Sequence, residues 1–393
     1  MRRNLVALVA EVESFVRDEV LPIEDTHDGD IERAGGDALR ANLQARARER
    51  GILGAHAPVR HGGLGLNMVD RTGIFEAAGY SLFGPVALNI ATPDEGNMQL
   101  LDHVATDLQR SRFLEPLVQG RVRSAFAMTE PAPGAGSDAT GLATFAHRVD
   151  GGWLLSGDKH FITGADGAAF LIVMARTAGV PGDVAGSTML LVPTDSPGLT
   201  LVRHVPTTDR SMIGGHCELT FSEVFVPDES VLGGVNEGFR YAQARVGPGR
   251  VTHVMRWTGA AQRAHDTALD YVLHREAFGR RLADAGMVHQ MIADNEIDLA
   301  ATRALLRRAC EALDAGEKAP TETAIAKTFA AEALWRVSDR ATQLCGGMGL
   351  SSDLPVARIA REIRPFRIYD GPSEVHRRWI ARRACRLREA QVR

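Results

Sequence analysis

Five stretches of this 393-residue chain carry side chains that could do chemistry. The first is Met128-Thr129-Glu130-Pro131-Ala132-Pro133-Gly134-Ala135-Gly136-Ser137-Asp138. Its prolines and glycines exclude regular structure and leave a loop with backbone N–H groups and two hydroxyls. Such a loop can bind an anion or line the polar edge of a ring. The spacing is neither a Walker loop nor GxGxxG, and a domain-connecting turn would look the same. The second stretch is the strand His160-Phe161-Ile162-Thr163, which puts Phe161 and Thr163 on one face. An aromatic beside a hydroxyl can stack on a flat heterocycle and hydrogen-bond to it, although ordinary strand pairs share the pattern. The third, Arg275-Glu276-Ala277-Phe278-Gly279-Arg280, ends a predicted helix. Arginine suits a pyrophosphate, and cations at a helix C-terminus also complement its dipole. In the fourth, Ile368-Tyr369-Asp370-Gly371-Pro372-Ser373, Asp370 could serve as a general base or as a turn or N-cap residue. The fifth is the arginine-rich end of the chain: Arg377, Arg378, Arg382, Arg383, Arg386 and Arg388. It reads as the solvated face of a helix in a nearly neutral protein.

The elements that must position these groups fall into three blocks. Leu5, Leu8, Val9, Val12, Phe15, Val16 and Val20 recur at helical spacing, with Pro22 as the stop. Helical patterns follow at 37–50, 70–80 and 107–118, with the Gly-rich turn His61–Asn67 between the first two. Residues 1–120 are therefore predicted to be an all-α N-terminal domain. From 121 to 232 short strand patterns alternate with turns. Residues 153–155 and 160–163 flank a predicted hairpin turn at 156–159. Further strands are expected at 170–174, 189–192, 199–202, 219–221 and 224–226, a small middle β-barrel domain. From 233 to 393 the chain returns to helices at 250–278, 287–315, 320–344, 354–369 and 373–391. Gly259-Ala260-Ala261 is a small-residue contact face, and the Gly346-Gly347-Met348-Gly349 break ends the third helix. This C-terminal domain is predicted to be a four-helix bundle, making the fold class α+β.

Composition narrows the function. Lys and Arg number 45 against 49 Asp and Glu, a net charge of −4, so nucleic acid is not expected as a partner. The longest strongly apolar run, Ala168–Ala175, is far short of the ~20 residues of a spanning helix, so no membrane insertion is expected. Glu11, Glu13 and Arg17 interrupt the N-terminal apolar stretch, which argues against a signal peptide. Cys217, Cys310, Cys345 and Cys385 have no metal or redox spacing and read as reduced, buried thiols of a cytoplasmic protein without a metal site.

Each motif is weak alone, but their order is specific. An α domain, a TEP…GAGSD loop, a KxFIT strand, an RxxFG helix end, a QxxGGxG break and a YxG turn resemble the acyl-CoA dehydrogenase family across essentially the whole chain. The resemblance implies FAD, an acyl-CoA substrate, electron-transfer flavoprotein as electron acceptor, and a homotetramer built as a dimer of dimers. It implies that Phe126, Met128, Thr129 and Ser137 lie along the flavin, with Ser137 reaching the pyrophosphate or the CoA moiety. Phe161 and Ile162 fall on the strand that places an aromatic against the ring, and Thr163 falls at its N5 edge. Arg275, Phe278, Gln343, Gly346 and Gly347 would contact the cofactor of a neighbouring subunit. Pro372, Ser373 and Glu374 would return to FAD, while Arg250, Tyr369 and Gly371 would line the substrate site. Asp370 takes the position of the usual catalytic Glu and would remove the α-proton, while Glu130 would be structural.

Several positions depart from the common pattern. Ala132-Pro133 lengthens the loop by two residues. The base is one methylene shorter than Glu. Gly249 occupies an alternative base site. Ala277 and Gly286 stand where Thr and Gln are common. The stretches Gly214–Glu218 and Asp370–His376 are also unusual, and together these traits resemble the branch of human family members ten and eleven. The resemblance implies α,β-dehydrogenation of an acyl-CoA to the trans-2-enoyl-CoA. A flavin oxidase of the same fold, like nitroalkane oxidase with its Asp base, and a non-catalytic helical scaffold stand as alternatives.

Overall fold

The computed structural model describes residues 4–392, so Met1, Arg2, Arg3 and Arg393 lie outside the described residues. The chain divides into two compact units. One comprises residues 1–30, 66–85 and 247–393; the other comprises 31–65 and 86–246. No helix among the described residues is long and apolar enough to cross a membrane.

The first unit is helical. Asn4 caps the helix Leu5–Phe15 by accepting from the N–H of Val6 and of Ala7. Pro22 does not stop it. A wide π turn over Val16–Val20 leads into Leu21–Thr26, and Pro22 falls in the first turn of that segment, where its missing N–H costs least. The helix Met68–Gly79 packs on Gly238–His274 through glycine. A Cβ on Gly259 would meet the Glu76 carbonyl oxygen at 2.0 Å, and one on Gly79 would meet that of Arg256 at 2.0 Å. The small-residue face expected around Gly259 is thus a backbone-to-backbone contact. Fully buried Glu24 accepts from Arg263 (2.7 Å), Arg358 (3.3 Å), the Ser81 hydroxyl (2.6 Å) and the Leu82 N–H (2.8 Å).

The later helices run Gly286–Asp314, Pro320–Leu344, Val356–Ile363 and Ser373–Val392. The long helix begins at Gly238, not at 250, and carries Gly247-Pro248-Gly249 inside it. It ends at His274. The stretch predicted as its end is a two-stranded ribbon, Glu276–Ala277 against Arg280–Arg281, turned by Phe278 (φ 54°) and Gly279 (φ 75°). The helix expected over 354–369 breaks at Pro365 into a 3-10 turn. Cys310 and Cys345 are buried as expected, but Cys385 is exposed on the last helix.

The second unit holds the helix Gly36–Glu49, the helix Asp94–Val104, which the periodicity did not reveal, and an eight-stranded sheet. The strands are β1 Ser124–Ala127, β2 Phe145–Val149, β3 Gly152–Thr163, β4 Phe170–Arg176, β5 Ser187–Pro193, β6 Leu199–His204, β7 His216–Pro227 and β8 Val231–Leu232. Their order is β6-β7-β3-β2-β4-β5-β8, and β1 pairs in parallel with β4. Alternation splits β4 between two cores. Leu171, Val173 and Ala175 share a core with Leu155, Leu190, Phe221 and Val226, so one face of the sheet closes over residues from both its ends. Phe170, Ile172 and Met174 pack instead against Met98, Leu101, Phe113 and Leu117. The hairpin expected at 156–159 is absent, because β3 is one continuous strand. Gly157 (φ 139°) sits at a register shift, where a Cβ would meet the Thr144 Cα at 2.8 Å. The turn is Asp150-Gly151, between β2 and β3. Residues 219–221 and 224–226 likewise belong to the single strand β7.

Candidate functional site

In the second unit the candidate groups gather where β3 ends and the 128–138 loop passes it. Lys159 on β3 is fully buried and donates to Glu130 (2.8 Å) and to the Met128 carbonyl (3.1 Å). Glu130 also accepts from the backbone N–H groups of Ala135 (3.0 Å), Ala143 (2.7 Å) and Thr144 (2.9 Å). Burial raises the Glu130 carboxyl, but Lys159 and these donors outweigh it and hold the group below the usual carboxylate range. Burial pushes the Lys159 ammonium down to about 8. Every lone pair of Glu130 is thereby committed to shaping the loop, which excludes it as a base.

The same loop is tied to β3 by the His160 N–H donating to the Thr129 carbonyl at 2.9 Å. Ser137 is exposed at its tip. Phe126 lies in β1, and the Arg245 guanidinium stacks 4.1 Å from its ring centre. Arg245 in turn donates to Asn97 (2.8 Å).

Strand β3 is irregular at its end. Phe161 has φ 55°, a conformation rare for a bulky residue, and a register shift separates Lys159 from Ile162. The simple alternation predicted for 160–163 is therefore replaced by a bulge. It turns the Phe161 ring beside that of His160 (4.1 Å) and leaves it 49% exposed. The Ile162 side chain is buried in the sheet core, which leaves only its backbone available to a ligand. The Thr163 hydroxyl lies 2.9 Å from His216 Nδ1, and His216 Nε2 lies 2.7 Å from Asp209. Burial raises the Asp209 carboxyl, but its bond to His216 prevails and keeps it below the usual carboxylate range. Buried Arg123 braces this strand end, donating to the Gly164 (2.7 Å) and Asp166 (2.6 Å) carbonyls and to Asp37. Thr163 also lines a small cavity of about 30 Å³ with Asp94, Arg123 and Ser124. Burial raises the Asp94 carboxyl against the opposing bonds from Ser124.

In the first unit the geometry centres on Asp370, whose φ of 53° precedes Gly371 at 93°. A Cβ on Gly371 would meet His376 Nε2 at 2.8 Å, so the turn needs glycine twice over. Its carbonyls are pinned by side chains. Arg250 Nε (2.8 Å) and His376 Nε2 (3.1 Å) donate to the Asp370 oxygen, and Lys327 (2.8 Å) donates to that of Gly371. The Asp370 carboxylate itself pairs with His253 Nε2 at 3.2 Å. The hydrogen on that nitrogen follows from the other side of the ring. Arg256 donates to His253 Nδ1 at 3.1 Å, which leaves Nε2 as the protonated nitrogen facing Asp370. Phe366 and Tyr369 flank the imidazole, and Trp257 donates to the Tyr369 hydroxyl at 2.5 Å. Burial lowers three cations here: Arg250, Lys327 to about 8, and His376 to about 4, the last helped by Arg250 and Lys327.

The remaining expected site residues stand elsewhere on the first unit. Arg275, Gln343, Gly346 and Gly347 are exposed, and Phe278 is completely so. None of them contributes to the contacts recorded around Asp370. Ser373 is buried at the start of the last helix and Glu374 is exposed. His253, Lys327, His376, His216 and Asp209 were missed as site residues. The unusual stretches Gly214–Glu218 and Asp370–His376 contain two of them. His253 stands one helical turn from Arg250, and Lys327 is a charge on a buried, Ala-rich helix face.

Three family models match in chain order: the N-terminal, middle and C-terminal domains of acyl-CoA dehydrogenase, over residues 4–121, 125–224 and 236–385. FadE2 of Mycobacterium tuberculosis, named as an acyl-CoA dehydrogenase, is 38% identical over 94% of this chain and 92% of its own length. Human acyl-CoA dehydrogenase family member 11 is 32% identical over 95% of this chain, and the chain spans 49% of that protein. Butyryl-CoA dehydrogenase from Megasphaera elsdenii has the same fold, with a TM-score of 0.86 at 27% identity over 98% of this chain and 99% of that one.

Proposed function

The chain belongs to the acyl-CoA dehydrogenase family, and on that premise we propose that it oxidises an acyl-CoA thioester to the trans-2-enoyl-CoA with Asp370 as the base. The observation that carries this reading is the Asp370 turn. A carboxylate is held in a left-handed backbone conformation by Arg250 and His376 on its own carbonyl and Lys327 on that of Gly371, and a fourth side chain, His253, meets its Oδ2. Strain of this kind persists where the surroundings over-determine it, as at active sites.

The cofactor is FAD, which when bound takes the hydride leaving the β-carbon. The residues fit such a group. Phe161 offers a half-exposed aromatic face, Thr163 a hydroxyl on the same strand end, and the 128–138 loop a run of backbone amides for a ring edge or phosphate. In this reading Phe126, Met128, Thr129, Ser137, Phe161, Ile162 and Thr163 hold the flavin, as do Pro372, Ser373 and Glu374. The exposed Arg275, Phe278, Gln343, Gly346 and Gly347 serve a neighbouring subunit's cofactor in a homotetramer. Exposure of Phe278 in a left-handed turn favours that assignment, since a fully bared aromatic is a contact for something else.

Asp370 takes the α-proton. The His253 N–H orients the receiving carboxylate. Arg250, Tyr369 and Gly371 frame the thioester, and the backbone N–H of Asp370 polarises its carbonyl. Electrons then pass to electron-transfer flavoprotein, and the free thiols, three of the four buried, suit the cytoplasm.

Anaerobic mixing with a panel of acyl-CoA thioesters tests this reading. Bleaching of the flavin by at least one thioester, with slow reoxidation in air, is expected. Fast oxygen consumption would identify an oxidase, and a purified, FAD-supplemented protein without flavin absorbance would identify a scaffold.

A further inference from the structure

The Thr163–His216–Asp209 chain is a second, half-buried polar relay, and the base chemistry at Asp370 makes no use of it. Its three members come from different pieces of the second unit: Thr163 ends β3, His216 opens β7, and Asp209 sits in the loop before it. The end of β3 and the start of β7 are paired, Thr163 to His216 in register, so the contact is built into the sheet rather than left to a mobile side chain. The side chains of His216 and Asp209 are 16% and 9% exposed.

The direction of each hydrogen bond follows from chemistry. Asp209 is an ionised carboxylate and can only accept. His216 Nε2, at 2.7 Å, must therefore carry a hydrogen. When the ring is neutral Nδ1 is then bare, and the Thr163 hydroxyl is its donor across 2.9 Å. A hydroxyl has one hydrogen. Once it is committed to His216, Thr163 turns only lone pairs to anything on its other side. A threonine without such a partner could rotate and either donate or accept.

We propose that His216, oriented by Asp209, makes Thr163 an obligate hydrogen-bond acceptor toward the flavin and so raises the flavin's reduction potential. The inference rests on the placement of Thr163 beside the FAD ring proposed above. An oxidised isoalloxazine presents an unprotonated nitrogen at its N5 edge, and the two-electron reduced ring presents an N–H there. An acceptor matches only the second. His216 and Asp209 are positioning residues in this scheme, since neither has to touch the flavin.

The test is the two-electron midpoint potential of the bound flavin in the holoenzyme, measured against a reference dye without any acyl-CoA. Flavin content and thermal midpoint are recorded alongside. His216→Leu frees the Thr163 hydroxyl to donate to the oxidised ring. The oxidised-to-reduced equilibrium is expected to move toward the oxidised form by roughly five- to tenfold, the worth of one neutral hydrogen bond, or about 20–30 mV downward for a two-electron couple. In a Thr163→Val background the same substitution is expected to change nothing, because the group through which it acts is gone. An unchanged potential overturns the proposal. So does a rise, which would mean that His216 donates to Thr163 instead. An equal fall in the Thr163→Val background overturns it as well, since the effect would then be structural. If His216→Leu does not fold, Asp209→Asn replaces it. Asn can accept or donate, so the ring is no longer held in one tautomer; a lower potential supports the relay and an unchanged one refutes it. Wild-type protein that holds flavin but is bleached by no thioester would instead fail the substrate reading, leaving the potential measurement intact.

Discussion

Replacing Asp370 by asparagine takes away the carboxylate while leaving its surroundings in place. The main-chain carbonyls of 370 and 371 are what Arg250, His376 and Lys327 bind, and none of those bonds involves the side chain that changes. Asparagine tolerates the φ of 53° at least as well as aspartate, and its amide oxygen can still accept from His253 Nε2. The structural loss is the charge on the acceptor of the His253 hydrogen bond and its attraction for nearby Arg250 and Lys327, worth ~1 kcal/mol as the difference between a charged and a neutral hydrogen bond. The catalytic loss is that of a general base, ~10²–10⁴-fold in rate, or about 3–5 kcal/mol in the barrier. The gap between those two figures makes the experiment decisive. Asp370→Asn should retain its flavin and a near-native thermal midpoint, and should bind acyl-CoA, yet bleach ~10²–10⁴-fold more slowly in anaerobic stopped flow. Asp370→Ala would be a poorer choice, because alanine pays for the left-handed backbone as well. Asp370→Glu keeps the base but adds a methylene against a turn already held by four side chains. It should bleach more slowly than wild type if the pocket is built around the shorter acid. Flavin reduction by Asp370→Asn at the wild-type rate would refute the assignment and send the search to another carboxylate.

Two further outcomes follow from buried charge. Glu24→Ala removes one of the two carboxylates that Arg263 and Arg358 share and strips the acceptor from the Ser81 hydroxyl and the Leu82 N–H, and should destabilise the helical unit by about 3 kcal/mol, read as a fall in the thermal midpoint; an unchanged midpoint would mean that Asp25 alone suffices. Burial holds His376 at about 4 in the folded protein, below the ~6.5 of an unperturbed imidazole. Between those values the unfolded chain binds a proton that the folded one does not, so the contribution of His376 is complete above pH ~6.5 and is lost as pH falls toward 4. Thermal midpoints measured across that window should fall less steeply for His376→Leu than for wild type, and parallel curves would count against the burial argument.

How much of this was legible in the sequence depends on the range over which each feature is decided. The glycine contact at Gly259, the all-helical flanks and the strand-rich middle follow from composition and period, which are local. The errors cluster where a tertiary partner overrides a local signal. Pro22 reads as a stop, but a π turn absorbs its missing N–H. Gly157 reads as a turn, but serves the close approach of Thr144 inside a continuous strand. Pro365 breaks a helix that its apolar spacing would have carried to Tyr369.

The site divides along the same line. Asp370, Phe161 and Thr163 could be singled out because each stands in a short motif whose order along the chain is distinctive. Their supporting residues could not, because support is a matter of which side chain lies behind which. His253 reaches Asp370 from a helix 117 positions earlier in the chain, and His216 reaches Thr163 across a strand pair whose register no single strand encodes. In both cases a histidine has one ring nitrogen on the motif residue and the other on a charged group that decides where the proton sits: Arg256 behind His253, Asp209 behind His216. The two charges have opposite sign, and so do their consequences. The cation leaves His253 a donor to a carboxylate that must receive a proton. The anion leaves His216 an acceptor from a hydroxyl that must then present lone pairs. A motif shows which residue meets the reacting group, and the charge two residues behind it decides which way that residue's hydrogen bond runs.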